Sequence, residues 1–568
     1  MLASCKYVSQ FFFFAVRLMR KWPLVVLQLP KKITLSASVF SLILAAILVL
    51  FYNFSLWKNV FNLPYSMSLW NISFFFSLFI LLVAFINLLL LVTTFPYIQK
   101  PIALVVLFLA AGASYFMDTY GILIDSDMVQ NTFETDVSEA SELLSIRFFA
   151  YIFLFGIVPS VIVWQVRIKQ SSVSKELLSR LISGVSSLLV IILILMTFYQ
   201  DYSSFFRNNR HFRHLINPIN FIYATASYAS SVFGSEKNPP KAIALDAEKL
   251  TMLAANGKHN LTVLVVGETA RAANFSLNGY SRETNPKLEK RDVINFTNVS
   301  SCGTSTAVSV PCMFSKFERT DYSPSKSKEF EGLLDVLVRV GVSVLWRENN
   351  SGCKGVCDRV PTDELSKENN ELWCNSKECF DEILLNKLDE KVASFNQDVF
   401  IVLHQKGSHG PAYYQRYPQE FEQFTPVCKT NQLQTCTQQE ITNAYDNSLL
   451  YTDHFLNEVI EFLIRQSKTY NTSMIYLSDH GESLGENNMY LHGAPYFIAP
   501  SEQTHIPFLL WFSEEYQAAN RVSVTCLIEK SEQPISQDNL FHSVLGINNI
   551  ETKIYEKELD IFSSCREN

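Results

Sequence analysis

The sequence predicts a two-part molecule: an α-helical membrane domain of five transmembrane helices, followed by an α/β domain with a mostly parallel central sheet. Three observations carry this prediction. Apolar residues crowd into roughly the first 200 positions, in five stretches long enough to cross a bilayer. Ten of the eleven cysteines lie beyond position 300, the pattern of an exported, oxidised domain. Beyond position 240, short β-branched runs alternate with segments of helical periodicity.

The five stretches are about 33–53, 72–95, 101–123, 147–166 and 180–200, so the membrane domain is placed at 1–200. "FFFFAV" at 11–16 is too short to span and reads either as an interfacial stretch or as a frayed terminus. No small-residue cleavage site follows an early apolar run, so no cleavable signal peptide is expected. Arg17, Arg20, Lys21, Lys31 and Lys32 precede the first span, and Arg167, Lys169, Lys175 and Arg180 lie between the fourth and fifth. The loop at 124–146 has no Lys or Arg and several acids. Cations mark the cytoplasmic side. The N-terminus is therefore expected inside, and everything after the fifth span outside. The spans carry almost no ionisable residues, which argues against a transporter. A net charge of -7 argues against a nucleic-acid partner.

Residues 201–239 read as a bridge, with the basic "RNNRHFRHLINP" (207–218) near the outer interface and the turn-rich "GSEKNPPK" (234–241) after it. The soluble domain is placed at 240–568. Its expected strands are "LTVLVV" (261–266), "VSVLW" (342–346), "VFIVLH" (399–404), "SMIYLS" (473–478) and "PFLLWF" (507–512), nearly unbroken apolar runs suited to burial on both faces. Helices are expected over 329–341 and 441–467. The economical cysteine pairs are 302–312, 353–357, 374–379 and 428–436, with 526–565 open as a fifth and a zinc cluster as the alternative for 353, 357, 374 and 379.

In a parallel sheet, working groups gather beyond the carboxyl ends of strands. After "LTVLVV" comes Glu268; after "VFIVLH" comes "QKGSHGP" with His409; after "SMIYLS" come Asp479 and His480, then His492. Each residue alone has a plainer reading: a helix-capping carboxylate for Glu268, a loop histidine for His409. Together they supply the N and O ligands of a metal site, and zinc is the expected ion. The candidate nucleophile is Thr304 in "SCGTSTAVSVPC" (301–312), fenced by Cys302 and Cys312. By composition alone, Thr304, Ser305 and Thr306 read more readily as helix caps.

"VVGETARAANFSLNGYSRETNP" (265–286), "CGTSTAVSVPCMFS" (302–315), "WRENNSGCKGVCDRV" (346–360), "HQKGSHGPAYYQRYP" (404–418) and "LSDHGESLGENNMYLHGAPY" (477–496) resemble the lipid A phosphoethanolamine transferases, a family that includes colistin-resistance enzymes. The resemblance covers nearly the whole chain. It implies an alkaline-phosphatase/sulfatase-like catalytic domain. It implies Thr304 as the nucleophile that becomes phosphoethanolamine-modified, with Glu268, Asp479, His480 and Thr304 around one tightly held Zn2+. His409 and His492 match histidines near the phosphate or a second, weaker zinc, and Lys354 matches a substrate-contacting lysine. Asn131, Thr135 and Glu139 match a stretch that helps hold the ethanolamine. The implied donor is phosphatidylethanolamine, the implied acceptor a lipid A phosphate, and the implied outcome polymyxin resistance. The enzyme is expected in the inner membrane among its lipids, as a monomer. Transfer to core heptose or a protein, and phosphoglycerol transfer, are the alternatives; no C/S-x-P-x-R sequence of a sulfatase nucleophile occurs. A non-enzymatic membrane sensor of the same fold would have lost its nucleophile or a ligand, and neither is lost.

Overall fold

The computed structural model describes residues 33–566, apart from 64–67, 96, 136, 170, 234–238, 251–255, 367, 369 and 376–377, and apart from the side chains of 137–139, 210 and 231–233. "FFFFAV" lies outside the described residues.

The membrane part begins with α1 (Ala37–Phe51) and α2 (Phe54–Phe61), joined at a bend of 57°. It continues with α3 (Leu69–Leu91), α4 (Gln99–Tyr120), two short helices α5 (Ser126–Glu134) and α6 (Val137–Leu143), then α7 (Ile146–Gln165) and α8 (Val173–Thr197). Helices α3, α4, α7 and α8 are long and apolar enough to cross a membrane; α1 with α2 makes a fifth span if the bent pair counts as one. The first span expected at about 33–53 thus contains α1, and the chain bends at its end, where polar side chains gather. The Asn53 amide donates to the Leu48 and Asn217 carbonyls at 2.9 and 2.8 Å, and Asn217 donates back to the Tyr52 and Ala110 carbonyls. These two buried side chains satisfy the carbonyls that the break frees. Helix α8 leaves Leu181, Leu188 and Leu193 exposed, a surface that requires lipid. The bridge consists of α9 (Tyr199–Asn208), a tight turn at Arg210–Leu215 and α10 (Ile219–Phe233).

The C-terminal domain is organised around seven strands: β1 (His259–Gly267), β2 (Ile294–Phe296), β3 (Ser343–Glu348), β4 (Thr362–Glu364), β5 (Val399–His404), β6 (Tyr470–Ser478) and β7 (Phe508–Phe512). Their order is β2-β7-β6-β1-β5-β3-β4, and every neighbouring pair is parallel except those made by β7. The unbroken apolar runs are explained by burial on both faces. Val263, Val265, Ile401 and Met474 face a layer containing α13 (Gln438–Gln466). Leu264, Val266, Val402 and Ile475 face the opposite layer, with α12 (Leu333–Arg339) and α14 (Asp538–Ile547). Helix α13 starts on a capping box, Thr437 with Glu440. The three-residue strands β2 and β4 at the sheet edges escape the sequence pattern, being too short to show a period.

Ten cysteines form five disulfides: 302–312, 353–357, 374–379, 428–436 and 526–565. The zinc-cluster alternative at 353, 357, 374 and 379 is thereby excluded, because both pairs of thiols are consumed. Cys526–Cys565 closes the longest loop, with a separation of 39 residues. On loop-closure entropy it contributes about 4 kcal/mol, against about 2 kcal/mol for a four-residue loop such as Cys353–Cys357. Cys526→Ser/Cys565→Ser should therefore lower the thermal midpoint more than Cys353→Ser/Cys357→Ser, measured on the full-length protein under identical conditions.

Candidate active site and metal centre

Parallel pairing sets the geometry of the site. Gly267 of β1 lies level with Ser478 of β6, and Val266 lies level with His404 of β5. The next residues of these chains emerge side by side at the carboxyl edge. Glu268, Asp479 and His480 are all buried, and each offers one ligand atom within 4.8 Å of the others. His480 Nδ1 faces the Gly481 carbonyl at 2.8 Å, which can only accept a hydrogen bond. The ring proton therefore resides on Nδ1, and Nε2 presents its lone pair to the cluster, 3.3 Å from Asp479 Oδ2 and 3.5 Å from Glu268 Oε1. Burial, then the neighbouring His492, lowers the His480 pKa to about 3 and keeps the imidazole neutral. Burial, then the Glu268 carboxylate, pushes the Asp479 carboxyl well up. Two carboxylates and a neutral imidazole form the donor set of a divalent-metal site, and a bound cation removes the repulsion between the carboxylates.

The structure does not bring Thr304 into this cluster. The Thr304 hydroxyl donates to the Ala494 carbonyl at 2.6 Å, and its own carbonyl accepts from the Gly493 amide at 2.7 Å. The hydroxyl at the cluster belongs to Thr306. Its Oγ1 lies 3.2 Å from both Glu268 carboxylate oxygens and 3.4 Å from His480 Nε2. The reason is local. Ser305 is the extended cap of helix α11 (Thr306–Met313), and the chain turns into the helix just beyond it. Thr306 is the first helical residue and stands at the end where unbonded amides favour an anion. The helix start, which the sequence already suggested, was the signal that separated the two threonines.

Around this core the structure brings further expected residues. The His492 ring lies 4.4 Å from His480 and 5.3 Å from His409, centroid to centroid. His492 Nδ1 faces the Glu482 carboxylate at 3.3 Å. The His409 loop passes over Glu268 through Gly407, at φ +53, where a Cβ would sit 2.6 Å from the Glu268 carbonyl oxygen. Lys354 donates to the Ser351 hydroxyl at 3.0 Å and to the Glu134 carbonyl at 3.1 Å, so it touches α5. Helix α5 packs on α11, with the buried Gln130 amide 3.4 Å from the Ala307 carbonyl. Asn131 thus lies on a helix at the mouth of the site. The Thr135 hydroxyl donates to the Asn131 carbonyl at 2.7 Å. The Glu139 side chain lies outside the described residues; its backbone belongs to α6.

Two buried groups were missed in the sequence. The first is a brace behind Glu268. Asn350 donates to Glu268 Oε2, and Glu348 holds Asn350 through its backbone amide at 2.7 Å. Glu348 also accepts from the Trp346 indole at 2.8 Å and meets His404 Nδ1 at 3.0 Å. The second is Arg416. It donates to the His409 carbonyl at 2.7 Å and to both oxygens of Glu142 on α6, at 2.8 and 2.6 Å, and it pairs with Glu378. Neither shows a pattern in sequence, because an isolated charge in a strand or loop normally reads as solvated.

The matched families follow the two-part organisation. Residues 82–232 match the model described as phosphoethanolamine transferase EptA/EptB, and residues 260–550 match the sulfatase model. Phosphoethanolamine transferase EptA of Escherichia coli K12 is 41% identical over 543 residues, spanning 95% of this chain and 99% of that protein. The chain belongs to the phosphoethanolamine transferases. Phosphatidylethanolamine transferase Mcr-1 of Escherichia coli is 45% identical over 436 residues, 75% of this chain and 80% of that protein. The solved structure of the lipooligosaccharide phosphoethanolamine transferase A (EptA) from Neisseria meningitidis superposes with a TM-score of 0.90 at 39% identity, covering 94% of this chain and 100% of that one. This phosphoethanolamine transferase therefore combines a helical membrane region with a sulfatase-like domain that carries a candidate metal triad.

The brace behind Glu268 yields a pH prediction. Burial alone would raise the Glu348 pKa, but His404 beside it and the hydrogen bonds it accepts hold it below the usual range. A depressed carboxylate contributes stability that is complete above its unfolded pKa, about 4.3, and lost as pH falls through the lower native value. Glu348→Gln should therefore lower the thermal midpoint most near neutral pH, with the gap to wild type closing below about pH 4; a gap that stays constant with pH would contradict the assignment.

Proposed function

We propose that this enzyme moves phosphoethanolamine from phosphatidylethanolamine to a phosphate of lipid A, with Thr306 as the nucleophile. The observation that carries this reading is the Thr306 hydroxyl, 3.2 Å from both oxygens of Glu268 at the first turn of α11. Thr306 Oγ1 attacks the donor's phosphorus, and the bond to the diacylglycerol oxygen breaks. The His409–His492 pair takes the Thr306 hydroxyl proton and delivers a proton to that departing alkoxide, which leaves as the alcohol. Thr306 then carries phosphoethanolamine on its oxygen. An acceptor phosphate oxygen displaces the threonine in turn, and the hydroxyl is restored, a double displacement. Lys354 offsets charge on the phosphate oxygens. Asn131, with Asp127 and Glu134 on the same helix α5, lies on the side that receives the donor's ammonium.

Glu268, Asp479 and His480 fit a zinc ion by donor type and spacing. Bound there, the ion would lower the pKa of the Thr306 hydroxyl and oppose the charge that develops on phosphorus oxygens. The acceptor assignment is supported by the Neisseria relative, whose name gives lipooligosaccharide as its target. Five disulfides in the C-terminal domain support a periplasmic location, and with the bent α1–α2 pair counted as a fifth span this puts the N-terminus in the cytoplasm and the spans in the inner membrane. Adding an ethanolammonium to lipid A would reduce the negative surface charge that attracts polymyxins and other cationic peptides.

Full-length enzyme incubated with phosphatidylethanolamine should acquire one phosphoethanolamine on the tryptic peptide containing Thr306, read by mass spectrometry. Thr306→Ala should abolish the adduct and lower lipid A modification by roughly a thousandfold or more, whereas Thr304→Ala should retain both; the reverse pattern would overturn the assignment. His480→Ala should lower zinc content by elemental analysis, and chelation of the wild-type enzyme should stop both half-reactions until zinc is returned.

A further inference from the structure

Outside the catalytic cluster, cations gather in the segment that follows the nucleophile helix. Phe317 and Phe330 pack edge to face, with centroids 5.4 Å apart. The Lys316 ammonium stands 4.4 Å from the Phe330 centroid and 5.1 Å from Phe317, and the Lys326 ammonium stands 4.1 Å from Phe317. Arg319 lies 4.3 Å over the ring of Tyr496, in the loop that also carries His492. Next along that loop, Phe497 is 54% exposed and carries Arg213 of the bridge at 5.6 Å. The short helix Pro324–Lys328 packs on both α11 and α10. The platform therefore lies between the nucleophile helix, the His492 loop and the membrane-proximal bridge.

Its charge runs against a chain of net charge -7. Glu318 and Asp321 lie in the same segment, and neither forms an ion pair with Lys316, Arg319 or Lys326 among the described residues; Lys326 bonds only the Asp321 backbone carbonyl, at 3.1 Å. Asp538 approaches Arg319 through the backbone amide, at 2.9 Å, rather than through the guanidinium. The neighbouring Lys241 and Lys328 do have carboxylate partners, Glu329 at 3.2 Å and Glu134 at 3.8 Å. An aromatic ring positions a cation without neutralising it. Three oriented cations without a carboxylate ion pair, beside a membrane surface, are complementary to a polyanion.

Building on the function proposed above, we propose that Lys316, Arg319 and Lys326 dock a second phosphate of a bis-phosphorylated glycolipid acceptor while the first reacts at Thr306. Lys316 lies three residues beyond the end of α11, whose eight residues rise about 11 Å from Thr306, so one headgroup bearing two separated phosphates can reach both points. The platform also discriminates between the two substrates. The donor is a zwitterion with a single phosphodiester and gains nothing there; the acceptor carries the excess negative charge.

The two half-reactions separate this proposal from the one it rests on. Full-length enzyme and Lys316→Gln/Lys326→Gln would be compared in detergent micelles, using bis-phosphorylated and mono-phosphorylated lipid A as acceptors. The variant should load phosphoethanolamine onto Thr306 at the wild-type rate, while its KM for the bis-phosphorylated acceptor rises about tenfold at unchanged kcat and loses most of its salt dependence. Its KM for the mono-phosphorylated acceptor should match wild type. Lys316→Arg/Lys326→Arg should restore the acceptor KM. An unchanged acceptor KM with normal loading would overturn the docking site, as would equal loss with both acceptors or loss of loading in the variant. Failure of the wild-type enzyme to load Thr306 would instead overturn the function itself.

Discussion

The site depends on one electrostatic constraint: two carboxylates and an imidazole are held out of water at the edge of a sheet, close enough to share an ion. Burial of like charges is unfavourable unless a cation compensates them. The raised pKa of Asp479 is the cost of that arrangement, offset when a divalent ion binds. Neutral His480, locked by the Gly481 carbonyl, completes a donor set that favours metal over proton. The Thr306 hydroxyl reaches this region only because a helix begins there, so the candidate metal site and the hydroxyl proposed as nucleophile are parts of one local arrangement.

Such a cluster holds its geometry only if its surroundings are stiff. The strands beneath it are buried on both faces, which fixes where each chain leaves the sheet. Glu268 is gripped from three sides: Asn350 takes one carboxylate oxygen, Thr269 donates to the other, and the Ser408 amide bonds its carbonyl. Behind Asn350, Glu348 and His404 form a buried hydrogen-bonded pair whose carboxylate also accepts the Trp346 indole proton. The Cys302–Cys312 bridge closes the segment that delivers Thr306. Each of these groups restricts a ligand's rotamers without touching the reacting atoms.

Legibility from sequence followed the physics of each element. Long buried strands and long lipid-exposed helices announce themselves through composition, and the direction of a parallel strand alone assigns the residues just past it to the carboxyl edge of the sheet. That reasoning located Glu268, Asp479, His480 and His409 on the correct edge. It failed at Thr304 and Thr306, because two threonines separated by one residue differ only in where extended chain becomes helix, and an element boundary is the least readable feature of a sequence. The bend at the end of the first span has no sequence pattern either, because there the Asn53 side chain bonds the backbone carbonyl of Asn217, 164 residues away. Glu348 and Arg416 were invisible for a related reason: burial of a charge is a property of partners that come from distant segments.

Arg416 shows what those distant segments accomplish. Its buried guanidinium joins the His409 carbonyl in the catalytic domain, Glu378 beside the Cys374–Cys379 bridge, and Glu142 on helix α6 of the membrane part. Asn431 adds a bond to the Glu142 carbonyl. Burial pushes the Glu378 carboxyl up, and Arg416 opposes that shift. A planar fork that binds two carboxylates and a carbonyl fixes orientation as well as distance, which an ammonium cannot do. The α5–α6 segment that carries Asn131 and Glu142 is thereby registered against His409. Thr306, the proposed nucleophile, stands on α11 of the C-terminal domain, so the two sides of the site meet only when both parts are folded. Positioning that depends on correct packing of both domains would restrict the chemistry to enzyme folded in its membrane.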